Sequence, residues 1–322
     1  MEASANKKAI SGGKSAKPGK LAKPAKTAKP AKPSKSRNKI EAFEVAVYAV
    51  LIVWALLIVL PFYNVIVISF AKVSEYTHTP FMLFPRQPTL ESYNALFADG
   101  RIWVGYRTSL ALLATGLPFS LALITCTAYA LSKDSFPGKK FFLYATVFTM
   151  YFNGGIIPLY LLVKSLNLMN KLYGITLCMG MNTFFMILMR NYFMAQPAAL
   201  QESARIDGAS EWDIMLRVMV PLSKPILATV ALFTTVNLWN QWFLAMIFIR
   251  DTEKTVLQLV LRAIVIQVQV VDANAYTQMG RAKFVLGIKM AAVSVVMVPI
   301  MCVYPFLQKY FVKGVMVGAI KA

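Results

Sequence analysis

The 322-residue sequence is poor in charged side chains, in cysteine and in histidine. Charged residues make up 15% of the chain and hydrophobic residues 57%, whereas soluble domains average about 25% charged residues. Cys126, Cys178 and Cys302 are far apart in sequence, so we expect neither a disulfide framework nor a zinc site. The single histidine, His78, cannot supply a metal cluster or a Ser-His-Asp triad. The sequence therefore argues against metal or triad catalysis and favours a protein with several membrane spans.

Acidic residues are almost missing from residues 1–40, which hold twelve Lys or Arg side chains and one acid, Glu2. Between Lys14 and Lys35 a lysine recurs at every third position, with Ala and Pro between, a spacing that suits polyproline II. Because the segment has too few large apolar side chains for a core, we predict a disordered cytoplasmic tail. Anionic lipid headgroups are its expected partners, at about 1 kcal/mol per lysine near the surface. Nucleic acid is not expected, because no aromatic residues are interleaved with the lysines.

The tail also lacks a nucleotide-binding loop. Gly13-Lys14-Ser15 looks like the end of a phosphate-binding loop, but the motif needs a glycine where Lys8 stands. No strand is predicted before it. We therefore expect no cofactor in this chain, and any ATP must be used by a partner.

Six apolar runs follow the tail, and each is long enough to cross a bilayer as a helix. A β-barrel is not expected, because ten-residue alternation of polar and apolar residues does not occur. A seventh candidate, Thr255–Val271, has Arg262 near its centre, which costs about 2.5–3.5 kcal/mol inside a membrane. We expect that segment to be amphipathic and to lie outside the membrane. Residues 41–322 are thus predicted to be an all-α integral membrane domain with six transmembrane helices. The six runs are Val45–Phe70, Leu110–Leu131, Phe141–Val163, Tyr173–Met189, Ile226–Ile249 and Phe284–Phe306.

The third of these runs contains helix breakers. Gly154, Gly155 and Pro158 stand near its centre. A break in a membrane helix is tolerated where the backbone is buried or lines water. We therefore predict a broken span at this point.

The distribution of basic residues predicts the orientation in the membrane. Six spans place both termini on one side, where the tail and loops carry twenty-two Lys or Arg residues, against ten on the opposite side. The positive-inside rule places both termini in the cytoplasm of a bacterial cell. Without the tail each side carries ten, so this prediction depends on the tail.

The loop between the fourth and fifth spans has the signals of a helix, a bend and a second helix. Pro197 suits the first position of a helix, and Gly208 is a natural stop because a left-handed conformation costs glycine little. Ser210 and Asp213 form a capping-box pattern that begins a second helix. Pro221 is predicted to end that helix just before the fifth span.

A short helix pair with apolar side chains is suited to a groove on a partner protein. A loop that rests on lipid headgroups would instead need mostly Lys and Arg on its polar face, yet residues 201–217 carry four acids and two arginines. We therefore expect docking onto a protein. The expected apolar contacts are Leu200, Ala204, Trp212, Met215 and Leu216.

The same loop, residues 196–225, carries a spaced motif that consists of Glu202-Ser203-Ala204, Gly208, Val218, Val220 and Pro221. The motif resembles the EAA loop (EAA-x3-G-x9-I-x-L-P) of binding-protein-dependent ABC importer permeases, with mild departures at three positions. The resemblance implies the type I arrangement of six helices and a cytoplasmic coupling helix that inserts into a cleft of an ABC ATPase. The residues implied to couple to the ATPase are Glu202, Ser203, Ala204, Asp207, Gly208, Ala209 and Pro221.

Four other stretches, Phe152–Pro158, Trp239-Asn240, Tyr304–Phe311 and Lys313–Lys321, are similar to the carbohydrate-uptake branch of that family, especially permeases for oligosaccharides. The resemblance implies a permease subunit that forms half of a translocation pathway and is not itself an enzyme. It also implies four kinds of partner: a cytoplasmic ATPase dimer, a second and different permease, an extracytoplasmic solute-binding protein and a carbohydrate substrate.

Four neighbouring residues of the fifth span, Asn237, Trp239, Asn240 and Gln241, are candidates for the substrate pathway. Amides inside a membrane are costly unless they face a cavity or a partner, and an indole ring suits the C–H face of a sugar. The same residues could instead hold helices together or anchor the helix at the membrane interface. Residue types alone leave these alternatives open.

Two other functions compete with the importer. An ion-coupled secondary transporter of sugars would need acidic residues within its spans, and the predicted spans contain none in their apolar cores. A membrane enzyme that uses a lipid-linked sugar would need catalytic carboxylates, for which Glu202, Asp207 and Asp213 are available. Their place in a helix-bend-helix pattern is better explained by docking.

Overall fold

The computed structural model describes residues 42–76, 81–274 and 286–302. Most of this part of the chain is helical, and an isolated antiparallel bridge joins Ala71 to Pro88. The described residues also include a π-helix at Ile214–Met219 and a 3-10 turn at Thr252–Lys254. The α-helices are α1 (Ala42–Ser69), α2 (Val73–Tyr76), α3 (Glu91–Ala98), α4 (Gly100–Ser132), α5 (Lys139–Tyr151), α6 (Ile156–Ser165), α7 (Leu172–Met179), α8 (Thr183–Met194), α9 (Ala198–Ile206), α10 (Glu211–Asp213), α11 (Val220–Leu222), α12 (Lys224–Trp239), α13 (Phe243–Phe248), α14 (Leu257–Asn274) and α15 (Leu286–Cys302).

Several sequence predictions concern residues outside the described ranges. The lysine-rich tail at 1–40 and His78 are among them, and so are the matching stretches Tyr304–Phe311 and Lys313–Lys321. The side chains of residues 267–274 also lie outside.

Contacts between Cα atoms divide the chain into residues 1–53 and residues 54–322. In the first unit, all of the described side chains, at residues 43–53, are exposed, and Glu44 is the charged residue among them. A helix that is apolar on every side is typical of a membrane span. The first predicted span is therefore confirmed in length and composition by Phe43–Ser69.

Two unbroken helices of the described chain are long and apolar enough to cross a membrane, namely Phe43–Ser69 and Gly100–Ser132. Three bent helix pairs raise the number of possible spans to five, and α14 and α15 include shorter apolar helices. Six spans stay a prediction. The bent pairs are α5 with α6 at 117°, α7 with α8 at 52°, and Glu211–Leu222 with α12 at 83°.

The predicted break in the third apolar run is confirmed. α5 ends at Tyr151 and α6 begins at Ile156. Gly155 has φ of 85° and ψ of 175°, a conformation that is essentially restricted to glycine. Asn153 accepts a hydrogen bond from the Gly155 backbone amide through its Oδ1 atom at 2.9 Å, which fixes the connection between the two helices.

α4 lies against α7, α8, α12 and α14 in the second unit. Two buried glycines on α4 allow close approach of neighbouring helices. A Cβ atom at Gly105 would lie 2.9 Å from the Cα atom of Leu257, and one at Gly116 would lie 3.1 Å from the side chain of Leu238. Small residues at such contacts let helix backbones pack at short distance in membranes.

α14 covers much of the seventh apolar candidate, and it packs into the helical core. Leu257, Val260 and Ile264 are buried in one cluster with residues of α15. The hydroxyl of Ser109 on α4 accepts a hydrogen bond from the Leu257 amide at 2.9 Å and so satisfies one of the free amides at the start of α14. Arg262 is the residue whose charge is costly inside a membrane. Its guanidinium carbon lies 3.9 Å from the centre of the Trp242 ring, which supplies cation–π stabilisation.

The contact at Gly105 gives a test of this packing. Gly105→Ala places a methyl group against the backbone of Leu257, so we expect destabilisation of about 1–3 kcal/mol by overpacking. Thermal unfolding of the purified protein in detergent measures the effect. Gly100→Ala is the matched control, because a Cβ atom there meets nothing within 4 Å, and its melting temperature should not fall. Equal melting temperatures for the two variants would contradict the close approach of α4 and α14.

Candidate functional site

The site is built around the end of α9. Pro197 has ψ of 127° and is the N-cap, so α9 begins at Ala198, one residue later than the sequence pattern predicts. Gly208 has φ of 82°, and the predicted glycine stop is confirmed. The Ala209 amide donates to the Ala204 carbonyl and the Gly208 amide to the Arg205 carbonyl, each at 3.0 Å. This pair of bonds is a Schellman motif, which satisfies the last carbonyls of α9 and turns the chain sharply.

A second helix begins directly after the bend, as predicted. The hydroxyl of Ser210 accepts from the Asp213 amide at 3.2 Å and donates to the Asp213 carboxylate at 2.6 Å. The helix passes through a π-helical segment and through Pro221, and it ends at Leu222. The prediction that Pro221 ends the helix is therefore one residue short. Ser223 closes the last turn, because its amide donates to the carbonyls of Met219 and Val220.

The residues predicted to couple to an ATPase fall into two groups. Six of them belong to α9 and its bend, where Glu202, Ser203, Asp207 and Gly208 are exposed, and Ala204 and Ala209 are half-buried. The seventh, Pro221, is exposed on the second helix, beyond the π-helical segment.

The outer surface of the helix pair is apolar at several points. Leu200, Trp212 and Leu216 are exposed, as the predicted contacts require, but Met215 is only 3% exposed and faces inward. Ile206 is 86% exposed at the end of α9. The sequence pattern missed it, because Ile206 comes two residues after Ala204 and so lies on the opposite side of the helix.

The inner surface anchors the helix pair to the long helices. Ile214, Met215 and Met219 are buried in a cluster with Ala128 of α4 and Phe193 of α8. Apolar burial of this kind stabilises by about 1.5–3 kcal/mol per large side chain. The segment after the bend therefore has one exposed face and one face packed against α4 and α8.

A charged network connects the bend to the end of α4. Tyr129 donates to Oε2 of Glu211 at 2.7 Å, and Nζ of Lys133 lies 3.3 Å from the same oxygen. Arg205 donates to Oε1 of Glu211 through Nη2 at 2.6 Å and through Nε at 3.0 Å. The Lys133 ammonium also donates to Oε1 of Gln201 and lies 4.3 Å from the centre of the Tyr129 ring. Sequence reasoning assigned these residues no role, because Tyr129 and Glu211 are 82 positions apart.

This network keeps Glu211 ionised. Burial raises the pKa of the Glu211 carboxyl, but the hydrogen bonds from Tyr129 and Arg205 and the charge of Lys133 outweigh burial and lower the pKa to about 2. Burial lowers the pKa of Lys133, and the adjacent carboxylate partly opposes that change. Because the folded pKa of Glu211 is below its ordinary value of 4.5, the stability that the carboxylate contributes is lost only in acid, as the pH falls through that value towards about 2.

The four candidate pathway residues separate into two environments. Asn237 and Asn240 are exposed, and Oδ1 of Asn240 accepts from Gln258 at 3.1 Å. Trp239 is 5% exposed in the core, near the Tyr106 ring, and Oε1 of Gln241 accepts from the Leu244 amide at the start of α13. The fifth predicted span, Ile226–Ile249, is not one continuous helix. α12 ends at Trp239, and α13 begins at Phe243 after a short connection.

Comparison with known proteins gives consistent matches over most of the chain. The family model described as "Binding-protein-dependent transport system inner membrane component" matches residues 43–317. Protein LplC of Bacillus subtilis (strain 168) is 38% identical over 263 residues, which are 82% of this chain and 89% of that protein. The polygalacturonan/rhamnogalacturonan transport system permease protein YtcP of the same organism is 36% identical over 281 residues, 87% of this chain and 98% of that protein.

A solved structure is similar as well. It is the crystal structure of a bacterial ABC transporter involved in the import of the acidic polysaccharide alginate. One of its chains matches with a TM-score of 0.76 and 32% sequence identity, and the match covers 87% of this chain and 100% of that chain.

The Ser210 cap gives a test of the second helix. Ser210→Ala removes the acceptor for the Asp213 amide, and loss of an N-cap costs about 1 kcal/mol, or roughly five-fold in the local opening equilibrium. Hydrogen–deuterium exchange of a peptide that covers residues 211–217 should be faster by that factor. Ser203→Ala, an exposed serine inside α9, is the control and should leave exchange in that peptide unchanged. Equal exchange in both variants would show that Ser210 does not hold the start of the second helix.

Proposed function

The chain belongs to the family of binding-protein-dependent transport system inner membrane components, and on that premise we propose that it acts as one permease subunit of an ATP-driven importer of carbohydrate. In this role it forms half of the translocation pathway and performs no catalysis itself. The single observation that carries the proposal is the family match over residues 43–317, which includes the whole bent loop between α8 and α12.

The proposed substrate is an oligosaccharide. Two similar proteins have names that refer to the transport of polygalacturonan/rhamnogalacturonan and to the import of alginate. The identities of 36% and 32% extend over most of both chains in each comparison, which supports a shared class of substrate.

Residues 196–225 are the proposed contact with a cytoplasmic ATPase dimer. The exposed Ile206 and Trp212 side chains would enter an apolar cleft of the ATPase, and the acids around Glu202 would face its polar rim. Support comes from the two faces of the helix pair. A surface with exposed apolar anchors suits docking, and its buried face would transmit movement to α4 and α8.

The remaining partners follow from the same proposal. The proposed ATPase is a separate chain, in keeping with the family, and Gly13-Lys14-Ser15 lacks the glycine that a phosphate-binding loop requires. A second permease would complete the pathway, and an extracytoplasmic solute-binding protein would deliver the sugar. We place the chain in the bacterial cell membrane with both termini in the cytoplasm, where the lysines of residues 1–40 would face anionic lipids.

Asn237 and Asn240 are the proposed pathway residues. Both are exposed, and their amides can both donate to and accept from sugar hydroxyl groups. For Trp239 and Gln241 the contacts favour helix packing, because the first lies in the core and the second bonds the start of α13. The family match also argues against the ion-coupled secondary transporter, for which the described structure offers no separate support.

Uptake measurements test the proposal as a whole. Cells that carry this chain as the sole copy of the subunit should take up labelled oligosaccharides from a panel that includes oligogalacturonate and oligoalginate. Uptake should stop when cellular ATP is depleted and should survive collapse of the ion gradients. Uptake that follows the ion gradients instead would favour the secondary transporter.

Ile206 provides a specific test of ATPase docking. Ile206→Asp places a charge at the most exposed apolar side chain of the helix pair, and loss of an apolar interface anchor costs about 2 kcal/mol or more, roughly thirty-fold in affinity. Binding of purified ATPase to the detergent-solubilised permease pair measures the effect. Leu166→Ser is the control, because Leu166 is also exposed but lies in the connection between α6 and α7, on the side proposed to be extracytoplasmic. Equal ATPase affinity in both variants would argue against docking through α9.

A further inference from the structure

We propose that Glu211 is a positioning residue that ties the bend after α9 to the cytoplasmic end of α4, so that displacement of the bend by an ATPase moves α4 directly. The inference rests on the proposed coupling role of residues 196–225. It names the side chains through which a movement of that loop would be transmitted to α4.

The two carboxylate oxygens of Glu211 face different elements. Oε2 accepts from Tyr129, in the last turn of α4, at 2.7 Å and lies 3.3 Å from Lys133, the residue that follows α4. Oε1 accepts from α9, through the two Arg205 bonds at 2.6 and 3.0 Å. One side chain at the start of α10 therefore bridges α4 and α9. A carboxylate that served only to cap or solubilise the second helix would not need partners on both.

A second contact strengthens the α4 side of the bridge. Lys133 follows the last residue of α4, its side chain is 13% exposed, and its ammonium also donates to Gln201 of α9. Tyr129 is 7% exposed, and its ring lies edge-on to Phe193 of α8, with 6.0 Å between ring centres. The α4 side of the bridge thus rests on two side chains with little freedom to move, whereas Glu211 and Arg205 are 54% and 47% exposed.

The covalent chain alone does not join the bend to α4. The bend is connected in sequence to α8 through residues 195–197 and to α12 through Ser223. α4 in turn contacts α7, α8, α12 and α14, so a force applied to its end reaches most of the packed helices. Glu211 supplies the polar part of this route, and the apolar cluster around Met215 supplies the rest.

Charge balance explains why the amide is the informative substitution. Lys133 and Arg205 place two positive charges beside one carboxylate. Glu211→Gln keeps the volume of the side chain and can still accept from Tyr129, but it removes both ion pairs. The two cations would then repel each other and weaken the connection between α4 and α9, although the bond from Lys133 to Gln201 would remain.

The experiment compares Glu211→Gln with the unchanged complex of permease pair, ATPase dimer and solute-binding protein in proteoliposomes. We expect ATPase affinity within about two-fold of the unchanged complex and a ratio of ATP hydrolysed to sugar imported that rises at least five-fold. Glu211→Asp, which keeps the charge on a shorter side chain, should restore part of the coupling. Lys133→Met combined with Glu211→Gln should cost less than the sum of the two single changes, because both break the ion pair between Glu211 and Lys133.

Asp134→Asn is the control, because Asp134 is an exposed carboxylate next to Lys133 in sequence but pairs with Lys139. The coupling ratio of this variant should not change. A normal coupling ratio in Glu211→Gln would overturn the proposal. Loss of ATPase affinity together with uptake in Glu211→Gln would also overturn it and would make Glu211 a docking contact. The Ile206→Asp variant tests the docking itself. If that variant bound the ATPase with normal affinity, the proposed docking of the loop would be wrong.

Discussion

Close packing of helices against α4 is the constraint on which the rest of the described structure depends. Two glycines make it possible, because Gly105 and Gly116 leave room for the backbone of Leu257 and the side chain of Leu238. Helices in lipid gain little from burial of apolar surface, so short contact distances must hold them together. α4 can then serve as a rigid support whose far end, near Lys133, contacts the bent loop that is proposed to dock on an ATPase.

The bend after α9 combines local and tertiary stabilisation. The Schellman bonds at Gly208 and the Ser210 cap fix its shape through contacts a few residues long. Its direction is fixed differently, by Met215 and Met219 in the cluster shared with α4 and α8. The shape of the loop and its direction therefore have separate causes.

Charged residues are few in this chain, and two of them, Glu211 and Arg262, contact elements other than their own helix. The side chain of Glu211 is 54% exposed, and its carboxylate contacts Tyr129, Lys133 and Arg205. Arg262 is a second example, because its guanidinium group lies over the Trp242 ring. Glu211 joins α4 to α9, and Arg262 joins α14 to the connection between α12 and α13.

The sequence by itself determined the features whose causes are local. Apolar run length predicts α1 and α4, glycine predicts the break at Gly155 and the stop at Gly208, and a serine predicts the cap at Ser210. The spacing around Glu202 and Gly208 indicated the family. Only the tertiary structure decided that Ile206 is exposed while Met215 is buried, and that Glu211 contacts the end of α4. The reason is physical: caps and helix stops act within one turn, whereas these contacts exist only after helices far apart in the chain have packed together.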